Sequence, residues 1–208
     1  MPKFTAPTGT DLSPDAALAL LKEGNRNYVG GGTVRPHLMG AERRAALAQE
    51  QRPFCVLVGC SDSRVSPELL FGRGLGDLFI VRNAGNVVDL AAMGSIEYGV
   101  AVLGAPLVVV LGHERCGAVA AAVSVVEKDT EYPGSIGQMI EPILPAVLRA
   151  RRDGDHDLLD RAVRHNVMRV VERLRTTEQM LQEPQRQGRL KIVGARYDLD
   201  DGVVEFFE

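Results

Sequence analysis

Three side chains that bind soft metal ions stand at the ends of two short apolar segments of this sequence. Cys60 closes the first segment, and His113 and Cys116 follow the second with two residues between them. Thiolate and imidazole groups are preferred zinc ligands, and three protein ligands leave a fourth position open for chemistry. The sequence therefore predicts a zinc site with one Zn²⁺ per chain, provided that the two segments are neighbours in space.

A possible catalytic pair follows the first of these cysteines. Next to a metal, Asp62 can either take the fourth ligand position or accept a proton from a water molecule held there, and Arg64 can hold its carboxylate with two hydrogen bonds. We therefore expect the pair to orient or gate the water, with Asp62 a zinc ligand only in a closed, inactive form. An exposed ion pair of little consequence is the alternative interpretation.

The two apolar segments, residues 54–59 and 107–112, have the composition of strands buried on both faces of a parallel sheet. Open α/β sheets bind ligands beyond the carboxyl ends of their strands, which is where the candidate ligands stand. Further strands are predicted at 77–81 and 190–197, and a turn at 200–202 leads into a last strand.

Helices are predicted between and around these strands. Ser-Pro pairs at 13–14 and 66–67 mark two helix starts, because serine caps a helix and proline suits its first turn. Residues 87–102 and 117–126 have helical patterns, and 136–187 is mostly helical with a break near Gly154. The alternation of strands and helices indicates an α/β fold with a parallel sheet.

The overall composition fits a soluble globular protein of 208 residues, with 45% hydrophobic and 25% charged residues. A net charge of −3 gives no indication of a nucleic-acid partner. The sequence contains no apolar stretch typical of a signal peptide or a membrane span. Three cysteines argue against a disulfide framework, so we expect a cytoplasmic protein that does not act at a membrane.

The remaining cysteine and histidines have simpler interpretations. Cys55 lies within a predicted strand and is expected to be a core residue. His37, His156 and His165 stand in a proline-flanked loop and in polar helical stretches, where solvated surface positions are expected.

Four motifs together resemble those of the bacterial β-class carbonic anhydrases, and the similarity runs from about residue 18 to 197. The motifs are, in chain order, Cys60-x-Asp62-x-Arg64, Arg82-Asn83-Ala84-Gly85-Asn86, Ser95-Ile96-Glu97-Tyr98 and Gly112-His113-x-x-Cys116-Gly117.

The resemblance implies an enzyme that reversibly hydrates CO2 to bicarbonate and a proton, by attack of zinc-bound hydroxide on CO2. It implies a four-stranded parallel sheet flanked by helices, with an added antiparallel C-terminal strand. It also implies a homodimer or a dimer of dimers. The residues at the positions of the family's substrate pocket are Gln51, Phe79, Ala84, Tyr98 and Gly117, with the Gln51 amide directed at an oxygen of CO2 or bicarbonate.

We predict a single domain of this family over residues 1–208. Its parts are an N-terminal arm with helices at 1–50, expected to pack on a neighbouring subunit, a zinc-site core at 51–126, a helical region at 127–189 and C-terminal strands at 190–208.

Two other functions share this fold prediction. Relatives of the family hydrolyse carbonyl sulfide or carbon disulfide, which are small linear molecules like CO2. A zinc-stabilised scaffold or partner-binding protein without catalysis would require the loss of the acid–arginine pair or of the open ligand position, and Asp62 and Arg64 are both present. One position differs from some bacterial members, because Leu57 replaces a tryptophan of an inhibitory bicarbonate site, whereas Arg82 and Tyr197 match its other members.

Overall fold

The computed structural model describes residues 10–32, 38–154, 156–176 and 179–207. The strands are β1 (Cys55–Cys60), β2 (Leu78–Asn83), β3 (Leu107–His113), β4 (Lys191–Tyr197) and β5 (Val204–Phe207). The helices are α1 (Pro14–Val29), α2 (Ala41–Leu47), α3 (Pro67–Leu70), α4 (Leu90–Ala101), α5 (Gly117–Lys128), α6 (Ser135–Ile140), α7 (Leu144–Arg152), α8 (Leu158–Thr176) and α9 (Gln179–Arg186).

The strands form one sheet in the order β2-β1-β3-β4-β5. The first four are parallel and β5 is antiparallel to β4, so the predicted fold class is confirmed. The register pairs Gly59 with Leu111, which brings the carboxyl ends of β1 and β3 side by side. Within the described ranges, no helix is long and apolar enough to cross a membrane.

Strands β1 and β3 are buried along their whole length, as their apolar composition predicts. Their side chains alternate between the two faces of the sheet. Val56 and Val108 lie on the face covered by α4, α8 and α9, whereas Leu57 and Leu107 lie on the face covered by α1 and α3. Cys55 is fully buried on this second face, so its predicted core position is confirmed.

Helix α1 packs on the sheet of its own chain. Ser13 caps its first turn by accepting a hydrogen bond from the Ala16 N–H at 3.2 Å, and Ala17, Leu18 and Leu21 are buried in the cluster that contains the β1 and β3 side chains. Helix α1 therefore covers part of one face of its own sheet. The sheet offers it room because α3, on the same face, is only four residues long. Contact between the N-terminal region and a neighbouring subunit stays a prediction.

A third apolar cluster covers the carboxyl end of the sheet. Cys60 and Cys116 are buried there among three apolar side chains. These are Val119 of α5, Val163 of α8 and Ile143, which directly precedes α7. The helical region is divided near Gly154, as predicted, into a first part that ends with α7 and a second that begins with α8. The packing of these helices buries the end of β1 and the start of α5.

Candidate metal centre and active site

The three candidate metal ligands meet at the carboxyl end of the sheet. Cys60 is the last residue of β1, His113 is the last residue of β3, and Cys116 caps the N-terminus of α5. Between the last two, Arg115 adopts a left-handed conformation with φ of 51°, which turns the chain sharply enough for both side chains to point inward. The ligand atoms lie within 4.8 Å of one another, and all three residues are buried.

The geometry of this group fits a tetrahedral zinc ion. Two sulfurs that each lie about 2.3 Å from such an ion are about 3.8 Å apart, and the Sγ atoms of Cys60 and Cys116 are 4.0 Å apart. The ring of His113 is oriented by its Nδ1 atom, 2.8 Å from the carbonyl oxygen of Glu114. Because a carbonyl oxygen can only accept a hydrogen bond, Nδ1 carries the proton and Nε2 keeps its lone pair. Nε2 faces the sulfurs, as it does in histidines that bind metal.

The Nε2 atom of His113 is buried and, among the described residues, has no hydrogen-bond partner. A buried polar atom without a partner is costly, by about 1–3 kcal/mol. A metal ion at the centre of the group satisfies Nε2 and both sulfurs at once. The residues present therefore fit zinc, which prefers nitrogen and sulfur ligands in this number.

The two thiols form a coupled pair. The hydrogen bond between them lowers the pKa of Cys60 below its ordinary value and raises the pKa of Cys116, because one proton is shared by the two sulfurs. The N–H of Gly85 also donates to Cys60 Sγ, at 3.3 Å. Cys60 is therefore the first of the two to become a thiolate, the form in which cysteine binds metal.

Gly85 is required at its position for two reasons. Its φ of 75° is a conformation that side-chain-bearing residues adopt only at a cost. A Cβ atom there would also lie 2.7 Å from Cδ1 of Ile143 and 2.9 Å from Cβ of Ala118. Only glycine brings a backbone N–H this close to the Cys60 sulfur.

Asp62 lies beside the candidate metal site but is held by Arg64. The backbone N–H and Nε of Arg64 donate to Asp62 Oδ1 at 2.9 Å each, and Nη2 donates to Oδ2 at 2.7 Å. These bonds hold the pKa of the Asp62 carboxyl well below its usual range. Asp62 Oδ2 is 3.8 Å from His113 Nε2. The carboxylate is thus ionised, aimed and close to the ligands.

Arg82 fixes the segment that carries the ligand and the carboxylate. Its Nε donates to the Cys60 carbonyl oxygen and its Nη2 to the Asp62 carbonyl oxygen, both at 2.8 Å. Leu57, which stands where some bacterial members carry tryptophan, is fully buried in the core. The guanidinium of Arg82 is therefore committed to backbone carbonyls in this structure.

Comparison with known proteins identifies the family. The family profile described as carbonic anhydrase matches residues 55–204. Carbonic anhydrase 2 of Mycobacterium tuberculosis is 44% identical over 192 residues, which cover 92% of each chain.

The chain belongs to the β-carbonic anhydrase family.

Solved structures of this family share the fold. The β-carbonic anhydrase CafA of Aspergillus fumigatus superposes with a TM-score of 0.70 at 28% identity, over 93% of this chain and 90% of that one. One of two tetrameric β-carbonic anhydrases from Sordaria macrospora gives a TM-score of 0.69 at 26% identity, over 78% of this chain and 84% of that one.

Two of the five predicted pocket residues lie next to the ligands within one chain. Ala84 directly follows Asn83, which pairs in register with Cys60. Gly117 directly follows Cys116, and a Cβ atom built on it meets no atom within 4 Å. The structure therefore leaves open space beside the ligands at this point.

The other three predicted pocket residues lie near the opposite end of the sheet in the same chain. Phe79 pairs in register with Val56, which at about 3.3 Å per residue is about 13 Å from Cys60 along β1. The Tyr98 ring lies 6.1 Å from the Phe79 ring, centroid to centroid, and Tyr98 and Gln51 line one surface cavity of about 560 Å³. One chain alone does not bring these residues to its own ligands.

Several residues around the site escaped prediction. Gly85 stood in a recognised motif without an assigned role, and Asn166, whose amide donates to the Gly85 carbonyl, was not singled out. Asn166 is a polar residue on the apolar face of a predicted helix, and this position was the one sequence signal that it has a buried hydrogen-bond partner. His165 lies at the surface with its side chain 23% exposed, and its Nε2 lies 2.5 Å from Asp153 Oδ2. His156 is exposed as predicted, and His37 lies outside the described residues.

Proposed function

We propose that this chain reversibly hydrates CO2 to bicarbonate and a proton, with one zinc ion held by Cys60, His113 and Cys116. The observation that carries the proposal is the buried Nε2 of His113, which has no hydrogen-bond partner in the described part of the chain and faces two sulfurs at the spacing of a tetrahedral site. Membership of the β-carbonic anhydrase family supports the same reaction.

Each residue of the site has a defined part in this proposal. Zinc, when bound, supplies the Lewis acid that lowers the pKa of a water molecule enough for it to attack CO2. Asp62 is ionised and can accept a hydrogen bond from a water molecule at the fourth ligand position, which orients the lone pair of that water. Arg64 and Arg82 hold the carboxylate and its backbone in place. The open space beside Gly117 admits a molecule as small as CO2.

We also propose that Asp62 and Arg64 gate the site. In the open form Asp62 stays with Arg64, as the three hydrogen bonds between them favour. In the closed form Asp62 takes the fourth ligand position and excludes water. Arg64 also approaches the Arg115 carbonyl oxygen at 3.5 Å, a contact that does not depend on Asp62.

The positions of Gln51, Phe79 and Tyr98 support a site completed by a second copy of the chain. Among the described residues, strand β2 lies at an edge of the sheet. A two-fold axis beside β2 and perpendicular to it would run the β2 strands of two copies in opposite directions. The start of one β2, with Phe79, then lies near the end of the other, where the ligands stand. In this arrangement each copy supplies the pocket residues of its partner.

The surface around β2 has the character of such an interface. Leu90 on α4 is 90% exposed and Tyr98 on the same helix is 46% exposed, although both are large apolar side chains. The two side chains lie about 12 Å apart along the axis of this helix. The tetrameric relatives from Sordaria macrospora agree with an oligomer built on this fold.

The reaction is tested by stopped-flow CO2 hydration on purified protein with measured zinc content, from neutral to alkaline pH. We expect one zinc per chain and fast turnover that rises through a single ionisation. A steep, cooperative loss of activity near neutral pH would instead indicate the closed form. Bound zinc without CO2 hydration at any pH would reject the proposed substrate, and parallel assays with carbonyl sulfide would then test the related hydrolase.

The shared site is tested with mixed dimers of Gln51→Ala and Asp62→Ala chains. If Gln51 acts in the partner's site, each mixed dimer has one intact site and one doubly altered site. Random mixing of equal amounts makes half of the dimers mixed, so activity recovers to about a quarter of the wild-type value. If Gln51 acts in its own chain's site, every site carries one substitution and mixing restores nothing.

A further inference from the structure

We propose that Asn166 of α8 is a positioning residue for the metal centre, which acts by fixing the Gly85 N–H that bonds to Cys60 Sγ. The inference deepens the proposed function, because it takes the three ligands to hold a metal ion. It concerns a residue that touches neither the ligands nor the substrate.

Asn166 is connected to the sulfur through a single residue. Its side chain is only 2% exposed, and its Nδ2 donates to the Gly85 carbonyl oxygen at 2.9 Å. The N–H of the same glycine donates to Cys60 Sγ at 3.3 Å. Holding the carbonyl of Gly85 in one direction therefore restricts the direction of its N–H.

The segment around Gly85 needs an external restraint. Gly85 and Asn86 both have positive φ, 75° and 45°, and glycine has more backbone freedom to lose than any other residue. Two left-handed residues in succession are not a conformation that the backbone maintains by itself. A hydrogen bond from a buried helix side chain supplies a restraint from outside the segment.

Apolar packing and directed hydrogen bonds both hold the segment against α8. Val87 and Val88 belong to buried clusters that contain residues of this helix. A cavity of about 200 Å³ is also lined by both the segment and α8, with Asn166 and Arg173 among its walls, so the packing is incomplete there. Polar groups of α8 contact the backbone at this point, since Arg173 Nη1 also donates to the Val88 carbonyl oxygen, at 2.6 Å. Apolar contact thus fixes the position of the segment, and directed hydrogen bonds restrain the orientation of its carbonyl groups.

The chain offers a matched control in a second buried asparagine. Asn25 of α1 is 4% exposed, and its Nδ2 donates to the carbonyl oxygen of another glycine with positive φ, Gly202, at 2.9 Å. It also accepts the Val204 N–H at 2.8 Å. These bonds join α1 to the β4–β5 turn, away from Cys60. Removing Asn25 therefore tests the loss of a buried amide without a change at the sulfur.

The experiment compares Asn166→Leu with Asn25→Leu, because leucine branches at the same carbon as asparagine and has no hydrogen-bond donor or acceptor. Zinc dissociation constants are measured by competition with a chromophoric chelator at a temperature where both variants are folded. We expect zinc to bind about tenfold more weakly to Asn166→Leu, the lower end for residues that orient metal ligands. Asn25→Leu is expected to keep the wild-type constant, although it loses thermal stability.

A spectroscopic measurement separates positioning from general destabilisation. In cobalt-substituted protein the thiolate-to-metal charge-transfer band reports the hydrogen bonding of the sulfurs. When the Gly85 N–H no longer donates to Cys60 Sγ, the lone pairs of that sulfur rise in energy. The charge-transfer band of Asn166→Leu therefore moves to longer wavelength. The band of Asn25→Leu stays at the wild-type position.

An unchanged zinc constant and an unchanged cobalt band in Asn166→Leu would overturn the inference. If Asn166→Leu does not fold, Asn166→Ala and Asn25→Ala replace the pair, with the same readouts. Failure of the proposed function looks different, because the wild-type protein itself would then bind no zinc or hydrate no CO2. A wild-type enzyme that does both, beside a silent Asn166 variant, rejects only the role of Asn166.

Discussion

Two groups of potential metal ligands lie at the same end of this sheet, and only one of them has the character of a metal site. In each group the ligand atoms lie within 4.8 Å of one another. The groups are Cys60, His113 and Cys116, and Glu114, Asp198 and Asp200. The first is buried with Nε2 of His113 unpartnered among the described residues, whereas the second is partly or fully exposed.

The acidic group is already satisfied by arginines. Arg115 donates to both oxygens of Asp200, at 3.0 and 2.6 Å, and Arg196 donates to Asp198 at 3.0 Å. The guanidinium groups thus supply the positive charge that a bound cation would supply. The comparison teaches that clustering of ligand types is insufficient, because a metal site also needs donor atoms that the protein leaves without partners.

One short segment supplies both groups. In the sequence 113–116, His113 and Cys116 turn inward to the buried group, and Glu114 and Arg115 turn outward to the acidic group. The left-handed Arg115 creates this division. The left-handed conformation of this one residue thus places two candidate ligands for a soft metal on the buried side of the segment. It places two members of a network of ion pairs on the exposed side.

The largest expected effect comes from replacing one ligand in each group. Cys116→Ser keeps the size of the side chain but loses the thiolate, so we expect the purified protein to lose zinc. CO2 hydration should fall by about a thousandfold or more, since metal catalysis contributes several kcal/mol. Asp200→Asn should retain one zinc per chain with near wild-type activity. Metal analysis and stopped-flow assays check both.

The opposite pattern would break the comparison. Full zinc content in Cys116→Ser would show that the buried group is not the metal site. Loss of zinc in Asp200→Asn would show that the acidic group contributes to it.

The sequence was sufficient to predict the sheet and the meeting of the three candidate ligands, because both follow from local patterns. A buried strand that ends in a cysteine or a histidine needs only its neighbour to form a site, and the register of β1 with β3 supplies it. The exposed, paired state of the acidic group could not be predicted in this way. Arg115 and Asp200 are 85 residues apart, and nothing local to either indicates the contact.

The restraints on the site were equally hidden in the sequence. Asn166 is 81 residues from Gly85, and its helix follows a long region whose packing on the sheet the sequence does not determine. The position of α1 on its own sheet also has no local signal, because the free area on one face of the sheet depends on how short α3 is. Such features depend on three-dimensional complementarity between distant elements rather than on the periodicity of any one element.

The second prediction compares two arginine–carboxylate pairs of similar geometry. Arg64 holds Asp62 and Arg115 holds Asp200, each through two guanidinium nitrogens. We expect Asp62→Asn to lower CO2 hydration by about a hundredfold, in the range of proton-transfer residues, with zinc retained. Asp200→Asn, the matched control, should change activity by less than about threefold, because exposed ion pairs contribute little. Equal losses in both variants would remove the distinction between the pairs.

The smallest expected effect is the pH dependence of stability in the acidic group. The Asp200 N–H and the Arg196 guanidinium lower the pKa of the Asp198 carboxyl in the folded protein. The stabilisation from Asp198 is therefore complete above the pKa of the unfolded chain, about 3.9, and is lost as pH falls through the lower folded value. The free energy of unfolding of wild type minus that of Asp198→Asn, measured by urea denaturation of zinc-free protein, should be at most about 1 kcal/mol at pH 6 and shrink below pH 4. A difference that grows as the pH falls would mean that the carboxylate is destabilising, and the acidic group would then be a strained cluster that a cation could relieve.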